Sequence, residues 1–154
     1  TWQGLNTGAT CFYNNDSAAN NCPYGKLYNW YAASDVRNLC PTGWHVPSDA
    51  EWTTLTTFLG GEFVAGGKMK STGTQYWASP NTAADNSSGF SGLPGGFRSY
   101  DGSFGYIGLN GNWWSSTEDN TDIAWTRNLD FTNGIALRVN SYKTLGFSVR
   151  CLRD

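Results

Sequence analysis

The sequence predicts an α+β domain in which helices precede an antiparallel sheet and disulfides join the early and late parts of the chain. Residues 48–61 carry the start, the apolar face and the end of a helix. Apolar and polar residues alternate through much of 112–152, as they do in a half-buried antiparallel sheet. Four cysteines, Cys11, Cys22, Cys40 and Cys151, span most of the 154 residues.

The central helix is predicted to begin at Asp49. Ser48 and Glu51 have the spacing of a capping box, in which each side chain accepts from the other residue's backbone N–H. One apolar face follows, formed by Trp52, Leu55, Phe58 and Leu59. The pair Gly60-Gly61 predicts the end of this helix.

The segments before the central helix predict a strand, a polar loop and a second helix. A short strand is predicted within Thr1 to Gly8, and turns are predicted in the Asn-rich loop between Cys11 and Cys22. A helix is predicted over Lys26 to Asp35. One face of it is formed by Leu27, Trp30, Tyr31 and Ser34.

The region between the central helix and the sheet has a weaker pattern. Residues 62–86 show no clear period, 89–98 are predicted to be buried coil, and 99–111 are predicted to form a hairpin or a loop. Four strands follow in the C-terminal third, over 112–117, 124–131, 135–140 and 146–152. Trp113 and Trp114 face opposite sides of their strand, and we expect one in the core and the other at the surface.

Length and composition limit the classes of protein. We expect a single domain over residues 1–154. The 10 basic residues are scattered and the net charge is −2, which argues against nucleic-acid binding. No apolar run approaches the roughly 20 residues that span a bilayer. The low charge and the abundance of Gly and aromatic residues are typical of secreted, loop-rich proteins, and with no signal peptide we expect a mature or excised fragment.

The four cysteines allow three pairings, of which we favour Cys11–Cys22 and Cys40–Cys151. In the last predicted strand Cys151 is in phase with the inward-facing Phe147 and Val149, as a bridge to Cys40 requires. On the chain-entropy treatment the two bridges contribute about 3 and about 4.7 kcal/mol. Disulfides indicate an extracellular or periplasmic compartment. The alternative is four reduced cysteines in a cytosolic protein.

Five motifs resemble the Fibrobacter succinogenes major paralogous domain family. They are 25–33 (GKLYNWYAA), 40–52 (CPTGWHVPSDAEW), 89–98 (GFSGLPGGFR), 113–118 (WWSSTE) and 146–154 (GFSVRCLRD). The resemblance covers nearly the whole chain, and the family occurs in secreted and surface-anchored bacterial proteins. It implies a C-type lectin-like fold, with two helices flanking a small twisted antiparallel sheet and a long loop region above it. The triplets of calcium-dependent lectins, Glu-Pro-Asn or Gln-Pro-Asp and Trp-Asn-Asp, do not occur here.

The sequence does not predict an enzyme. The single histidine, His45, is expected to pack under the helix start and to donate to a backbone carbonyl. No G-x-S-x-G motif is present. Carboxylates that could act as a glycosidase pair are expected in turns instead. These are Asp101, Glu118, Asp119 and Asp122.

Aromatic and polar residues of the predicted loops are the candidate ligand contacts, because flat rings stack on sugar C–H surfaces and amides or carboxylates bind hydroxyls. The candidates are Trp77, Tyr100, Tyr106, Asn112, Glu118, Asp119, Trp125 and Asn128. A calcium ion could bind at Asp119 and Asp122, for which a plain acidic loop is the alternative. No other cofactor is expected.

These observations favour a secreted or cell-surface bacterial binding or adhesion module that contacts a glycan or a protein through its loop face. This hypothesis predicts exposed aromatic residues around positions 98–125. The alternative is a structural subunit of an extracellular filament, sheath or surface layer, which requires large contacts with copies of itself.

Overall fold

The computed structural model describes residues 2–154, and within them the chain forms four short α-helices and nine short strands. The helices are α1 (Ser17–Asn20), α2 (Trp30–Ala33), α3 (Asp49–Phe58) and α4 (Glu62–Met69). The strands are β1 (Thr10–Phe12), β2 (Lys26–Tyr28), β3 (Trp44–His45), β4 (Gly95–Arg98), β5 (Phe104–Ile107), β6 (Asn110–Glu118), β7 (Ile123–Asp130), β8 (Ala136–Tyr142) and β9 (Leu152–Arg153). None of these helices is long and apolar enough to cross a membrane.

The largest sheet has three antiparallel strands in the order β6-β7-β8. Its register places Arg127 opposite both Trp113 and Arg138. Two-stranded antiparallel pairs are formed by β1 with β2, β3 with β9, and β4 with β5. The described strands therefore make four small sheets.

One stretch near the C-terminal end, residues 146–148, joins these sheets, and we call it the joining segment. Phe147 bridges Tyr28 of β2, Gly146 bridges Arg98 of β4, and Ser148 bridges Trp113 of β6. Backbone hydrogen bonds of 2.7 to 3.1 Å join these places, for example 2.7 Å from the Tyr28 N–H to the Phe147 carbonyl. Three of the sheets are thus tied to one short stretch of chain.

The three-stranded sheet has a packed core on each face. Trp113 belongs to a cluster with Trp52, Met69, Trp77 and Leu129. Trp114 belongs to a second cluster with Ala33, Cys40, Val46 and Phe147. Neighbouring residues of a strand point to opposite faces, and both tryptophans are buried. The expectation that one of them lies at the surface is therefore wrong, because the sheet is covered on both sides.

The central helix has the predicted start. The Glu51 N–H donates to Ser48 Oγ at 3.3 Å, and the Ser48 N–H donates to Glu51 Oε2 at 2.8 Å. Both hydrogen bonds of the capping box are present. The helix ends at Phe58, just before Gly60-Gly61.

The predicted architecture of two helices flanking one sheet is wrong, because four short helices and several small sheets are found. The helix predicted over Lys26 to Asp35 is instead β2 followed by α2. The Asn29 side chain separates the two elements, because its Oδ1 accepts from Ala32 N–H at 3.1 Å and from Ala9 N–H at 2.8 Å. Near the N-terminus Trp2–Gly4 is a 3-10 helix rather than a strand, and Thr1 lies outside the described residues.

Helix α4 was not predicted, because Gly66 and Gly67 disfavour a helix in the sequence. The tertiary structure requires both glycines. A Cβ atom on Gly66 would lie 2.2 Å from the Ile135 carbonyl oxygen, and one on Gly67 would lie 2.4 Å from the Ala83 carbonyl oxygen. Close packing against backbone outweighs the helix propensity at these two positions.

The Cys40–Cys151 disulfide is confirmed, with a Cα–Cα distance of 5.8 Å. The predicted Cys11–Cys22 disulfide is wrong, since both cysteines are free thiols. The loop between them is closed by a side chain instead. The amide of Asn20, which is buried, donates to the carbonyls of Tyr13 at 3.0 Å and Asp16 at 3.1 Å.

Candidate functional site

A candidate ligand surface is an open groove with a volume of about 410 Å³, which we call the tyrosine groove. It is lined by Gln3, Tyr100, Tyr142 and Thr144. The two tyrosines are 53% and 63% exposed, respectively, which is high for rings of this size. The groove therefore offers two aromatic rings and the Gln3 amide to solvent.

Tyr100 is held in place by the turn between β4 and β5. The Asp101 carboxylate accepts from the backbone N–H of Ser103 at 3.0 Å and from its hydroxyl at 2.7 Å. These hydrogen bonds lower the pKa of Asp101, so the carboxylate that orders the turn is ionised at neutral pH. Tyr142 is the last residue of β8, where its carbonyl accepts from Leu145 N–H at 2.9 Å.

The side of the groove at Thr144 is fixed by Trp2 and Arg98. The Trp2 indole N–H donates to the Thr144 carbonyl at 2.7 Å. The Arg98 guanidinium lies 4.3 Å from the centre of the Trp2 ring and donates to the Ser99 carbonyl at 3.1 Å. Residues near both ends of the chain are thus locked together next to the groove.

The chemistry of the tyrosine groove suits an uncharged polar ligand. Among residues 2–154 its lining groups are aromatic rings, an amide and hydroxyls, with no carboxylate or basic side chain. Aromatic rings stack on apolar faces, while the amide and the hydroxyls give and accept hydrogen bonds. A neutral sugar presents both kinds of surface.

Tyr106 is also exposed, at 56%, but it is not part of the groove lining. Its ring stacks on Phe97 with a centroid distance of 5.5 Å. Its backbone has a φ of 63°, which is uncommon for a residue with a Cβ. The Tyr106 ring is therefore held flat against Phe97 next to the turn into β6.

Two predicted ligand contacts, Trp77 and Asn112, are buried, and a third, Asn128, is half-buried in β7. Trp77 is 1% exposed and its indole N–H donates to the Gly92 carbonyl at 3.0 Å. Asn112 is buried, and its Oδ1 accepts from the Asn128 side chain at 2.8 Å. The structure brings these two asparagines together, but it places them in the sheet and away from the groove.

Glu118, Asp119 and Trp125 lie around the turn between β6 and β7, and each contacts a side chain of the protein itself. Lys143 Nζ donates to Glu118 Oε2 at 2.7 Å, and the Asn140 amide donates to Asp119 Oδ2 at 3.0 Å. The Arg138 guanidinium lies 3.3 Å from the centre of the Trp125 ring. This second set is more polar than the groove, and its exposed groups are already paired.

Calcium at Asp119 and Asp122 stays a prediction. Within residues 2–154 no group of three or more His, Cys, Asp or Glu side chains is arranged to hold a metal ion. Asn120 Oδ1 orders the loop by accepting from Asp122 N–H at 3.0 Å. The Lys143 ammonium also lies at this loop, 2.9 Å from the Thr121 carbonyl, which is an oxygen that a cation would otherwise use.

His45 bonds two carboxylates and not the backbone carbonyl that the sequence suggested. Its Nδ1 lies 2.5 Å from Asp154 Oδ1, and its Nε2 lies 2.9 Å from Glu51 Oε1. Hydrogen bonds to Asp154 and then to Glu51 raise the pKa of His45. Both ring nitrogens are thereby engaged, and the histidine links β3 to the start of α3 and to the chain after β9.

Sequence reasoning missed Gln3, Tyr142 and Thr144. The strand prediction stopped at Asn140, two residues short of Tyr142. Continuing the alternation of Arg138 and Asn140 by one more step would have placed Tyr142 on the same polar face. No feature of the sequence indicated Gln3, because its position next to Thr144 depends on the hydrogen bond from the neighbouring Trp2 indole to the Thr144 carbonyl.

Comparison with curated proteins and with solved structures found no match, so a C-type lectin-like fold is not confirmed. A family model matches residues 2–153, which is nearly the whole chain. The motifs that suggested the family are the ones that build this structure, including the α3 cap, the paired tryptophans of β6 and the joining segment. The chain belongs to the Fibrobacter succinogenes major domain family.

Proposed function

We propose that this chain is a non-catalytic, extracellular or cell-surface binding module, and that it holds a glycan or a protein ligand in the tyrosine groove. The observation that carries the proposal is the exposure of Tyr100 and Tyr142 in one groove. Large exposed aromatic side chains in a concave surface are typical of ligand contacts. A glycan is the favoured ligand, because the groove lining is uncharged.

The disulfide supports the location. Cys40–Cys151 is a bond that persists in oxidising compartments such as the cell exterior, and it is rare in the cytosol. The family match is consistent with a surface protein. Adhesion would follow if the ligand is carried by another surface.

The test is a glycan array followed by calorimetry with the best neutral oligosaccharide. Tyr100→Ala and Tyr142→Ala are each expected to weaken binding by at least about tenfold, which corresponds to about 1.4 kcal/mol. The control is Phe63→Ala, which removes a still more exposed aromatic ring (80%) from α4, outside the groove. Binding that survives both tyrosine variants, or that is lost equally in the control, would overturn the proposal.

A structural subunit of an extracellular filament, sheath or surface layer is the second candidate. Two phenylalanines favour it, since Phe58 is 86% exposed and Phe63 is 80% exposed. Apolar rings in water favour self-association. Negative-stain imaging distinguishes the candidates, because polymers support the structural role and single particles that bind glycan support the binding module.

A further inference from the structure

A second, smaller cleft of about 250 Å³ lies between α3 and the chain around the disulfide, and we call it the α3 cleft. Its apolar lining residues are Pro47, Trp52, Leu55, Phe90, Cys151 and Leu152. Glu51 and Arg150 are its charged lining residues. This cleft shares no residue with the tyrosine groove.

The walls of the α3 cleft are held by contacts within the protein. Phe90 packs against Trp52 with a centroid distance of 5.8 Å, and Arg150 lies 4.7 Å from the centre of the Phe90 ring. The Glu51 carboxylate is already bound by Ser48 and His45. The cleft is thus preformed, with the Glu51 carboxylate paired and the Arg150 guanidinium resting on the Phe90 ring.

An exposed phenylalanine adjoins the cleft on the same helix. Glu51, Leu55 and Phe58 are spaced i, i+4 and i+7, which places them on one stripe of α3. The first two line the cleft, and Phe58 continues the stripe into the last turn with 86% of its surface exposed. The surface therefore carries a projecting ring and an apolar hole side by side.

The ring and the hole match in size and chemistry. A cavity of roughly 150 Å³ is enough to hold benzene, and the α3 cleft has about 250 Å³. Removing a phenylalanine ring from water favours association, and a symmetric contact would bury two such rings, one from each copy.

We propose that two copies of this chain associate through α3, with Phe58 of each copy inserted into the α3 cleft of the other. A ring and a hole on one stripe are self-complementary when two α3 helices meet antiparallel, because the last turn of each then lies opposite the first turns of the other. This is the arrangement of a two-fold symmetric, isologous interface. The occupant of the cleft is thus a second copy of the same chain.

The inference goes beyond the binding function and does not depend on it. The tyrosine groove is lined by other residues than the α3 cleft, so a dimer would present two grooves and gain from avidity on a surface with many ligands. Loss of glycan binding and loss of dimerisation are measured separately and in different variants.

The experiment is sedimentation velocity over a concentration series with four proteins. Phe58→Glu and Leu152→Lys alter the ring and the hole at exposed positions, and Val36→Glu is the matched control, since Val36 is fully exposed after α2. We expect a concentration-dependent dimer for the wild type and for Val36→Glu. Each interface variant is expected to weaken dimerisation by at least about tenfold.

Mixing the two interface variants provides the decisive readout. In the mixed dimer one contact is the native Phe58 in a native cleft, and the other pairs the introduced carboxylate with the introduced ammonium group, so dimers are expected to return when equal amounts are combined. A circular-dichroism melt of each variant confirms that it is folded. A wild type that stays monomeric into the high micromolar range overturns the proposal, as does a dimer that neither variant weakens or a mixture that stays monomeric.

Discussion

The Arg127 guanidinium donates to Asp49 Oδ1 at 2.8 Å, across 78 residues of sequence. Arg127 is almost completely buried in β7, and its second nitrogen donates to Thr53 Oγ1 at 3.0 Å. Arg138 of β8 binds the same carboxylate, also at 2.8 Å. Two strands of the main sheet are thus fastened to the first turn of α3 through one aspartate.

Replacing that aspartate is expected to destabilise the fold strongly. Asp49→Asn leaves the buried Arg127 charge without its counter-ion, and such losses amount to about 3–5 kcal/mol of unfolding free energy. Urea unfolding at pH 7 measures the effect. Asp122→Asn, at an exposed turn, is the control and is expected to change stability by less than about 0.5 kcal/mol. Equal stabilities of the two variants would show that the ion pair is not needed.

Acid is expected to weaken the same ion pair. Burial raises the pKa of Asp49, but hydrogen bonds from Arg138 and Arg127 outweigh it, so the net pKa is below the usual value. Its contribution to stability is therefore present above the unfolded pKa of about 3.9 and lost as pH falls through the lower folded pKa. Urea unfolding between pH 5 and pH 2.5 should show the wild type losing its advantage over Asp49→Asn in this range.

Lys70 is expected to make the stability depend on pH at the alkaline end. Its buried ammonium donates to the carbonyls of Thr82, Asp130 and Asn133 at 2.9, 2.8 and 2.8 Å. Burial lowers the pKa of Lys70 to about 8. Between about pH 8 and about pH 10.4 the unfolded chain binds more protons than the folded one. Lys70 therefore makes the free energy of unfolding rise with pH in this range.

Lys70→Met tests this account. The variant leaves three buried carbonyls without a donor and is expected to lose at least about 2 kcal/mol at pH 7. The stability advantage of the wild type should then grow from pH 8 to pH 9.5. Lys68→Met, at a half-buried position in the last turn of α4, should show neither effect. A constant difference between wild type and Lys70→Met would exclude the proposed titration.

His45 is expected to stabilise the fold in mild acid. Its pKa is raised by hydrogen bonds to Asp154 and Glu51, so its contribution is fully present below the unfolded pKa of about 6.5 and lost as pH rises through the folded pKa. Unfolding free energies of wild type and His45→Gln should differ at pH 6 and converge by pH 9. The difference should be small and sensitive to salt, because the imidazole is partly exposed.

The cysteines give a chemical test of the disulfide assignment. Thiol titration of the unfolded, unreduced protein should find two free thiols, at Cys11 and Cys22. In the folded protein the exposed Cys22 should react first, because burial raises the pKa of the Cys11 thiol. Replacing Cys40 and Cys151 by serine opens a loop of 111 residues and is expected to cost about 4.7 kcal/mol. A count of zero thiols would show that Cys11 and Cys22 are bonded and would contradict the assignment.

Local signals allowed the sequence to predict α3 and the Cys40–Cys151 bridge. The capping box, the apolar stripe and Gly60-Gly61 all lie within a few turns of α3. The strand predicted over 146–152 is wrong, because the structure has single bridges at 146–148 and a strand only at Leu152–Arg153, so Cys151 lies in the connection between them. The features that were missed depend on distant contacts. Helix α4 tolerates Gly66 because backbone packs against it, and the tyrosine groove brings together residues about as far apart in sequence as Gln3 and Tyr142.

The joining segment also determines when this chain can fold. Residues 146–148 complete hydrogen bonds to β2, β4 and β6, and the partner of Cys40 follows only three residues later. During synthesis β2, β4, β6 and Cys40 cannot make these contacts until almost the whole domain has left the ribosome. Contacts of such long sequence separation form slowly. For the extracellular module proposed above, this order means that the folded state cannot form until β9 has crossed the membrane.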